Sequence, residues 1–290
     1  MDRTIMDIDK ITWLFGIEKY FHFIQDVKKK QFIRNIINLK YAEQQSKPWS
    51  LKNLISDDYR QYPVTFREDR LNFYTNVCSL DEITTRDIVG TLHSIWPEDE
   101  FINKLFEIVD EGYEDVLPII FSKSQVLSKI WMAEILSKFN LNFNNVLLIG
   151  GWLTHHSLYL KDINYNKLFS IDPDSSINEL IAIINPDAYV ENKSINECFD
   201  IDNNLTFYDK VIEPDLVINT SSEHMDIEWF NKLKPGTTVF IENNSDPIEE
   251  HINYSETLPD FLRKYPVTTT YYRGEITFPK YKRYALYGVK

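Results

Sequence analysis

The residues that could carry chemistry lie in short polar clusters, each of which follows an apolar segment. Gly150 and Gly151 follow the apolar run 146–149, and Asp172 comes 22 positions after Gly150, at the end of the apolar run 168–171. A glycine turn lets a ligand approach the backbone, and an acidic side chain at this spacing can accept hydrogen bonds from both hydroxyls of a ribose. The combination favours a binding site for a nucleoside cofactor.

Each of these features also has a simpler explanation. A pair of glycines can form an ordinary tight turn, and Asp172 could cap the helix that follows it. Asp174 and Ser175 are equally suited to that capping role. The prediction of a cofactor site therefore rests on the glycine turn and Asp172 occurring together, each directly after a strand.

A second cluster, which includes Asn219, Glu223 and His224, follows the apolar segment 216–218. Glu223 and His224 could act as a base or hydrogen-bond acceptor in a transfer reaction, and Asn219 could orient the acceptor molecule. The alternative is that these residues only cap and solvate the next helix. Glu242, Asn243 and Asn244 end a further strand, where they either contact substrate or form an Asx-type turn.

Two adjacent histidines, His155 and His156, follow the glycine turn and Trp152. They could line a cofactor or substrate pocket. Neighbouring histidines point apart on a helix, and no third ligand is evident beside them, so the sequence predicts no metal site. Cys78 and Cys198 are far apart and match no zinc or redox spacing, which is typical of reduced thiols in an intracellular protein.

The elements that must position these clusters alternate between strand and helix from residue 145 onward. Such alternation predicts a parallel sheet with right-handed crossovers, in which ligands bind at the carboxyl ends of the strands. The last two strands follow each other closely and predict an antiparallel closing pair. The seven predicted strands are residues 146–149, 168–171, 188–190, 215–219, 237–241, 267–272 and 284–289.

These patterns resemble a known family. Residues 145–182 are similar to the first two motifs of class I S-adenosylmethionine-dependent methyltransferases, residues 233–237 to their Leu-x-Pro-Gly-Gly turn, and residues 268–289 to their last two strands. The resemblance covers residues 122–290. It implies an α/β fold: a Rossmann-like, seven-stranded, mostly parallel sheet flanked by helices, preceded here by a mainly helical N-terminal region.

The resemblance also implies an enzyme that transfers a methyl group from S-adenosylmethionine to an unidentified acceptor. Asn219, Glu223 and His224 would then face the acceptor, as the candidate catalytic residues. Adenine would lie near Asn196 or Glu197, beyond the third strand. The residues implied in cofactor binding are Gly150, Gly151, Trp152, Asp172, Asn196 and Glu197.

Three positions depart from the family pattern. Leu148 stands where the family has an acidic residue, and Trp152 and Thr154 stand where it has its second and third glycines. These departures keep open a second hypothesis, a methyltransferase fold that has lost its cofactor and serves as a binding or assembly module. A third hypothesis is transfer of the aminopropyl-type portion of the same cofactor.

The resemblance does not extend into the first part of the chain. The sequence therefore predicts two domains, a mainly helical region over residues 1–121 that covers the site or selects the substrate, and a methyltransferase-like domain over residues 122–290. The run Lys28–Lys30 is the best candidate for a basic patch, although a solvated helix face is the simpler interpretation.

The composition of the chain limits the classes of partner that we expect it to bind. The net charge of −13 disfavours binding to bulk nucleic acid, so the expected acceptor is a small molecule or a protein. The sequence shows no signal peptide and no membrane-spanning stretch, which predicts a cytoplasmic protein without a membrane partner. Its bias toward Asn, Ile, Lys and Tyr is typical of AT-rich genomes and would also suit a viral protein in the host cytoplasm.

Overall fold

The structure, a computed structural model, describes residues 3–44, 84–139 and 142–290 of the 290-residue chain. The chain divides into two compact units, residues 1–130 and residues 131–290. Within the described ranges no helix is long and apolar enough to cross a membrane.

The described part of the first unit is helical, which confirms the predicted N-terminal helical region. Two of its helices begin at side-chain caps. Thr84 accepts the N–H of Asp87 and donates its own N–H to the Asp87 carboxylate, and Asp99 accepts the N–H of Ile102. The helices are α1 (Arg3–Phe23), α2 (Val27–Gln44), α3 (Thr85–Ile95), α4 (Glu100–Asp110), α5 (Leu117–Ile120) and α6 (Lys123–Ser137), and α6 crosses the division between the units.

An aromatic core holds the helices of the first unit together. The rings of Tyr20 and Phe101 lie 4.3 Å apart, and Phe101 meets Phe121 edge to face at 5.7 Å. A Cβ atom added to Gly16 would lie 1.8 Å from the carbonyl oxygen of Phe121, so α1 and the end of α5 touch through their backbones. These contacts need glycine at position 16.

Lys29, at the centre of the basic run, is buried. Its Nζ lies 2.6 Å from Asp26 and 2.6 Å from Asp99, so two carboxylates neutralise it inside the first unit. The run Lys28–Lys30 is therefore neither a continuous basic patch nor a fully solvated helix face. The helical periodicity of its neighbours turns the middle lysine inward.

The second unit is built on a seven-stranded sheet, and this confirms the predicted fold class. The strand order is β3-β2-β1-β4-β5-β7-β6. The first five strands pair in parallel, whereas β7 runs antiparallel to both β5 and β6, which confirms the closing pair expected from the sequence. The strands are β1 (Asn142–Ile149), β2 (Asn164–Ile171), β3 (Tyr189–Glu191), β4 (Leu216–Asn219), β5 (Thr238–Asn244), β6 (Thr269–Thr277) and β7 (Lys282–Val289).

The first two strands begin earlier than predicted. Their leading halves are mostly polar and lack the apolar run that identifies a buried strand, although Phe143 joins the core. Pairs of asparagine side chains also connect them: Asn164 Nδ2 donates to Asn142 Oδ1 at 2.8 Å, and Asn166 Nδ2 donates to Asn144 Oδ1 at 2.9 Å. These side-chain pairs support the pairing of β1 and β2 before their apolar runs begin.

Hydrophobic side chains cover both faces of the sheet. Because successive residues of a strand point to opposite faces, Leu147 joins one core and Leu148 the other. The first core contains residues of α8 (Glu228–Lys232) and α9 (Leu258–Lys264), and the second contains residues of α6. The remaining helix of this unit, α7 (Asn178–Ile184), joins β2 to β3. The packed faces leave the strand ends free to carry a site.

Cys198 lies inside the first of these cores as a free thiol, and burial raises its pKa to about 12. A thiol with so high a pKa is a poor nucleophile. The free thiol agrees with the reduced state expected from the sequence. Cys78 lies outside the described residues.

Candidate functional site

The carboxyl ends of the four central parallel strands lie side by side at one edge of the sheet. The register pairs Ile149 with Ile171 and Leu148 with Ile218, so the chain leaves β1, β2 and β4 at the same level. Asn219 pairs with Ile241, and β5 continues three residues further, to Asn244. The N–H of Gly150 donates to the carbonyl of Ile171 at 3.0 Å. The predicted clusters after these strands are therefore neighbours, as expected for the ligand-binding edge of such a sheet.

The glycine turn after β1 is tightly enclosed. Gly150 has a φ of +62°, and an added Cβ would lie 3.2 Å from the Met225 side chain. An added Cβ at Gly151 would lie 2.4 Å from Ser170 Oγ and 3.0 Å from Leu148 Cβ. The first position needs glycine for its backbone conformation, and the second needs it for space.

Trp152 and Thr154, which occupy glycine positions of the family pattern, adopt a glycine-like backbone. Their φ angles are +42° and +53°, in the left-handed region that costs an L-residue about 1–2 kcal/mol. Thr154 is fully buried, and its N–H donates to the carbonyl of Gly151 at 2.8 Å. The backbone of the turn therefore has positive φ angles at both positions, although neither residue is a glycine.

Asp172 connects the end of β2 to this turn. Its Oδ2 accepts the N–H of Trp152 at 2.9 Å, and its Oδ1 accepts the N–H of Asp174 at 3.1 Å. Burial raises the pKa of Asp172 above the ordinary value, although the two N–H donors oppose the shift. Asp174, whose carboxylate accepts the N–H of Ser176, caps the following helical turn, so Asp172 is not the cap.

Beyond β3, Asn196 and Glu197 lie in a short 3-10 helix, Ile195–Cys198. Glu197 is exposed and accepts the N–H of Ser194, which closes a capping box. Asn196 Nδ2 donates to both carboxylate oxygens of Asp226 at 3.0 Å, while its Oδ1 is buried and accepts no hydrogen bond from the described residues. Of the two, Asn196 has an unused polar atom for a ligand. The predicted cofactor role of each residue stays a prediction.

After β4, Asn219 shapes the turn that carries the candidate catalytic residues. Its Oδ1 accepts the N–H of Ser221 at 3.0 Å, and its Nδ2 contacts the sulfur of Met225 at 3.1 Å. Asn219 is fully buried, so its amide is engaged within the turn. This geometry makes Asn219 a residue that positions Glu223 and His224, and its predicted contact with the acceptor stays a prediction.

Glu223 belongs to a buried charged group that also contains Glu242 and Arg283. The Arg283 guanidinium lies 3.1 Å from Glu242 and 3.6 Å from Glu223, and Asn244 Nδ2 donates to Glu223 Oε1 at 2.6 Å. Burial by itself lowers the pKa of Arg283, but the two carboxylates outweigh that effect and shift it upward. Arg283 therefore stays charged between the two acids.

His224 is exposed and lies against His251, a residue that the sequence analysis did not single out. The two rings are 4.6 Å apart, edge to face. One ligand atom from each of Glu223, His224 and His251 lies within 4.8 Å of the others. His251 comes from the loop after β5, and no spacing pattern in the sequence connects it to the earlier pair.

His155 and His156 lie in the 3-10 helix His155–Tyr159, where the sequence predicted a helical stretch. Both are buried, and their rings are 4.9 Å apart, so the two side chains do not point apart as expected from the sequence. His156 Nε2 hydrogen bonds with Thr220 Oγ1 at 2.8 Å. This bond joins the turn after β1 to the turn after β4.

A separate cavity of about 670 Å³ lies at the other edge of the sheet. It is lined by the start of β1, the turn before β4 and the segment 232–238. None of the predicted site residues lines this cavity. A ligand could bind in this cavity instead, and an experiment can distinguish this location from the carboxyl ends of the strands.

The topology and this edge together define the class of fold. The second unit is a Rossmann-like sheet closed by an antiparallel strand, with its glycine turn and acidic residue at the ends of β1 and β2. The resemblance of the fold to that of class I S-adenosylmethionine-dependent methyltransferases is therefore confirmed.

Comparison with known proteins gives matches among solved structures. No protein-family model matches the chain, and no curated protein matches it. The N-methyltransferase NodS from Bradyrhizobium japonicum WM9 is 14% identical over 56% of this chain and 95% of its own, with a TM-score of 0.41. The complex of NodS with S-adenosyl-L-homocysteine matches at 12% identity over 70% of this chain and 98% of its own, with a TM-score of 0.40.

A protein from Listeria monocytogenes described as a putative S-adenosylmethionine-dependent methyltransferase is also similar. It is 15% identical over 57% of this chain and 99% of its own, with a TM-score of 0.39. These identities and TM-scores carry no weight for activity. The proposed function rests on the strand-end geometry of this chain.

Proposed function

We propose that this chain is an S-adenosylmethionine-dependent methyltransferase. The observation that carries the proposal is the contact between Asp172 and the glycine turn. Each Asp172 oxygen accepts one backbone N–H, whereas a carboxylate oxygen has room for two hydrogen bonds. Each oxygen therefore keeps one acceptor position for a ribose hydroxyl.

The residues present at this edge fit a nucleoside cofactor. Gly150 and Gly151 allow the tight turn after β1, and Trp152 and Thr154 keep positive φ angles in the same turn. The buried Oδ1 of Asn196 can accept a hydrogen bond from an amino group such as that of adenine. Gly150, Gly151, Trp152, Asp172 and Asn196 would hold the cofactor, with Glu197 beside them.

When bound, the cofactor supplies a methyl group on a positively charged sulfur. The chain must then hold an acceptor in line with that methyl group and remove or stabilise the proton that the acceptor loses. Glu223 and His224 are the groups suited to this task, on a turn that Asn219 positions. The exposed His224 is the better placed to exchange a proton with solvent.

The expected acceptor is a small molecule or a protein. The two buried carboxylates near the acceptor end are matched by one guanidinium, which makes the site unattractive to phosphate. The net charge of −13 acts in the same direction over the whole chain. The predicted cytoplasmic location remains part of this proposal, as does the role of the first unit in substrate selection.

Calorimetric titration of the full chain with S-adenosylmethionine tests the proposal. We expect binding in the micromolar range for the wild type and for the control Asp162→Ala, an exposed aspartate just before β2. Asp172→Ala should weaken binding about 100-fold, because it removes two charge-assisted hydrogen bonds. A folded wild type that does not bind would refute the proposal and favour the binding or assembly module.

Product analysis then separates the two transfer reactions. Methyl transfer releases S-adenosylhomocysteine, whereas aminopropyl-type transfer leaves a methylthio nucleoside. Candidate small-molecule and protein acceptors are incubated with the labelled cofactor, and the nucleoside product is identified by mass spectrometry. Release of S-adenosylhomocysteine supports the proposal, and release of a methylthio nucleoside contradicts it.

A further inference from the structure

We propose that Glu223, His224 and His251 bind one divalent transition-metal ion, with zinc as the first candidate. One ligand atom from each residue lies within 4.8 Å of the others. The ligands of a single tetrahedral zinc ion lie roughly 3.4 Å apart, given metal–ligand distances of about 2.0–2.2 Å. Binding would therefore draw the three atoms closer together, and His224 is the exposed member of the three, whose side chain has room to rotate.

Glu223 supplies a carboxylate oxygen that lacks a partner. Its Oε1 accepts a hydrogen bond from Asn244 Nδ2, but its Oε2 is buried and accepts none from any described residue. The residue is only 1% exposed. A buried carboxylate oxygen without a partner is costly, and coordination to a cation removes that cost.

The buried charges next to this oxygen favour a cation. Glu223 and Glu242 share the single guanidinium of Arg283, at 3.6 and 3.1 Å. With both acids ionised, these three groups together carry one net negative charge. A divalent ion bound at Glu223 would neutralise it within a buried environment, where electrostatic attraction is strong.

His251 is held in the tautomer that binds metal. Its Nδ1 lies 2.7 Å from the carbonyl oxygen of Asp246. Because a carbonyl oxygen only accepts, Nδ1 carries the hydrogen and Nε2 keeps a free lone pair. A hydrogen bond of this kind on the outer nitrogen is characteristic of metal-binding histidines.

Backbone contacts hold the loop of His251 against the turn of Glu223. The N–H of Asn253 donates to the carbonyl of Glu223 at 2.9 Å, and Asn253 Nδ2 donates to the carbonyl of Ser222 at 3.3 Å. The three ligands thus come from two segments that are already joined. Little additional order is needed to form the site.

The ligand types select the class of metal. Two imidazoles and one carboxylate suit zinc and other late divalent transition metals, whereas magnesium and calcium prefer oxygen ligands alone. Three protein ligands leave the fourth tetrahedral position open, as in catalytic zinc sites. The open position is available to an oxygen or nitrogen atom of a substrate.

A role for this ion in catalysis, unlike the site itself, rests on the proposed methyl transfer. An acceptor hydroxyl bound at the open position would lose its proton to solvent more readily. The oxygen would then form a bond to the methyl carbon as the carbon–sulfur bond breaks, and the sulfonium would become a neutral thioether. In this arrangement His224 acts as a ligand, and the acceptor is a hydroxylated molecule.

Zinc binding to the full chain, measured without S-adenosylmethionine, tests the site. The protein is dialysed against a chelator and titrated with zinc chloride by calorimetry, and bound zinc is counted by elemental analysis. We expect one zinc ion per chain. His224→Ala and His251→Ala should weaken the affinity more than about 100-fold, whereas the control His22→Ala, an exposed histidine of α1, should bind as the wild type does.

Two outcomes would overturn the inference. One is that the wild type does not bind zinc. The other is that His224→Ala binds zinc with unchanged affinity, because this position is exposed and the substitution should not impair folding. Because the assay omits the cofactor, it is independent of the proposed function. Zinc binding without cofactor binding would refute only the methyltransferase, and cofactor binding without zinc would refute only the metal site.

Discussion

The carboxylate of Asp172 accepts the backbone N–H of Trp152 at 2.9 Å, so the acidic residue at the end of β2 holds the turn at the end of β1. Two elements that the sequence treats as separate motifs are thus one structural unit. Any change at Asp172 acts on a cofactor both directly and through the shape of this turn. Predictions about the site must separate these two effects.

The first prediction concerns pH. Burial raises the pKa of Asp172 above the ordinary 3.8, so as pH falls the folded protein takes up this proton before an ordinary aspartate would. Because ribose hydroxyls donate to the ionised carboxylate, affinity for S-adenosylmethionine should decrease with falling pH, beginning above the ordinary pKa. Calorimetric titrations at decreasing pH test this. Constant affinity down to pH ~4 would contradict it.

The raised pKa of Asp172 also affects the stability of the folded protein. Its effect is opposite in sign to that of an aspartate whose pKa is lowered by an ion pair. A carboxyl group whose pKa is raised by folding destabilises the folded state above that pKa, and the cost disappears as pH falls through it. Asp172→Asn keeps one acceptor oxygen and loses the other, and it should therefore lose less stability than the missing charge-assisted hydrogen bond would suggest. Denaturant unfolding at neutral pH measures this, and a loss above about 3 kcal/mol would contradict it.

The second prediction concerns Gly151. Its alanine variant would place a Cβ 2.4 Å from Ser170 Oγ and 3.0 Å from Leu148 Cβ, and the second contact involves an atom that cannot rotate away. We expect Gly151→Ala to destabilise the protein by about 1–3 kcal/mol, as overpacked cores do. Denaturant unfolding of the full chain, followed by circular dichroism, measures the loss.

Gly90, in the middle of α3, is the matched control for this substitution. A Cβ added there meets no atom within 4 Å, and alanine favours a helix over glycine. Gly90→Ala should therefore stabilise the protein, by about 0.5–1 kcal/mol. Equal effects of the two substitutions would show that space around the turn is not limiting.

The third prediction concerns Arg283. Replacing it with methionine leaves Glu223 and Glu242 buried without their guanidinium, which should cost about 3–5 kcal/mol of unfolding free energy. The adjacent Lys282, which forms an exposed pair with Glu275, is the control, and Lys282→Met should change little. A loss no larger in Arg283→Met than in Lys282→Met would contradict the buried charged group.

If zinc occupies the proposed metal site, it should partly offset the loss of unfolding free energy in Arg283→Met. A divalent ion at Glu223 supplies positive charge where the guanidinium was removed. Thermal unfolding of Arg283→Met with and without zinc chloride should therefore show a larger stabilisation by zinc than the wild type shows. An identical shift in both proteins would mean that the ion and Arg283 act independently.

The sheet could be predicted from the sequence because its inner strands are continuous apolar runs. The last four residues of β1, 146–149, are all buried, and such a run needs no knowledge of the partner strand. The mostly polar first half, 142–145, could not be predicted in this way. It is supported by asparagine pairs between β1 and β2, and these exist only once the register is known.

The candidate site was predictable where it depends on local chain order. Gly150 and Asp172 come directly after β1 and β2, Glu223 follows the end of β4 by four residues, and the fold brings strand ends together. Arg283 and His251 were not predictable, because one enters from the antiparallel β7 and the other from a loop without a motif. Trp152 and Thr154 appeared to break the turn, but the backbone keeps positive φ angles at both positions.

A crystal structure of the protein with bound S-adenosylhomocysteine tests whether the cofactor binds at the carboxyl ends of the strands. Both ribose hydroxyls should lie within hydrogen-bond distance of the Asp172 carboxylate, and the adenine should lie beside Asn196. A ligand found instead in the cavity at the other edge of the sheet, or no bound ligand in well-ordered crystals soaked at high concentration, would contradict it.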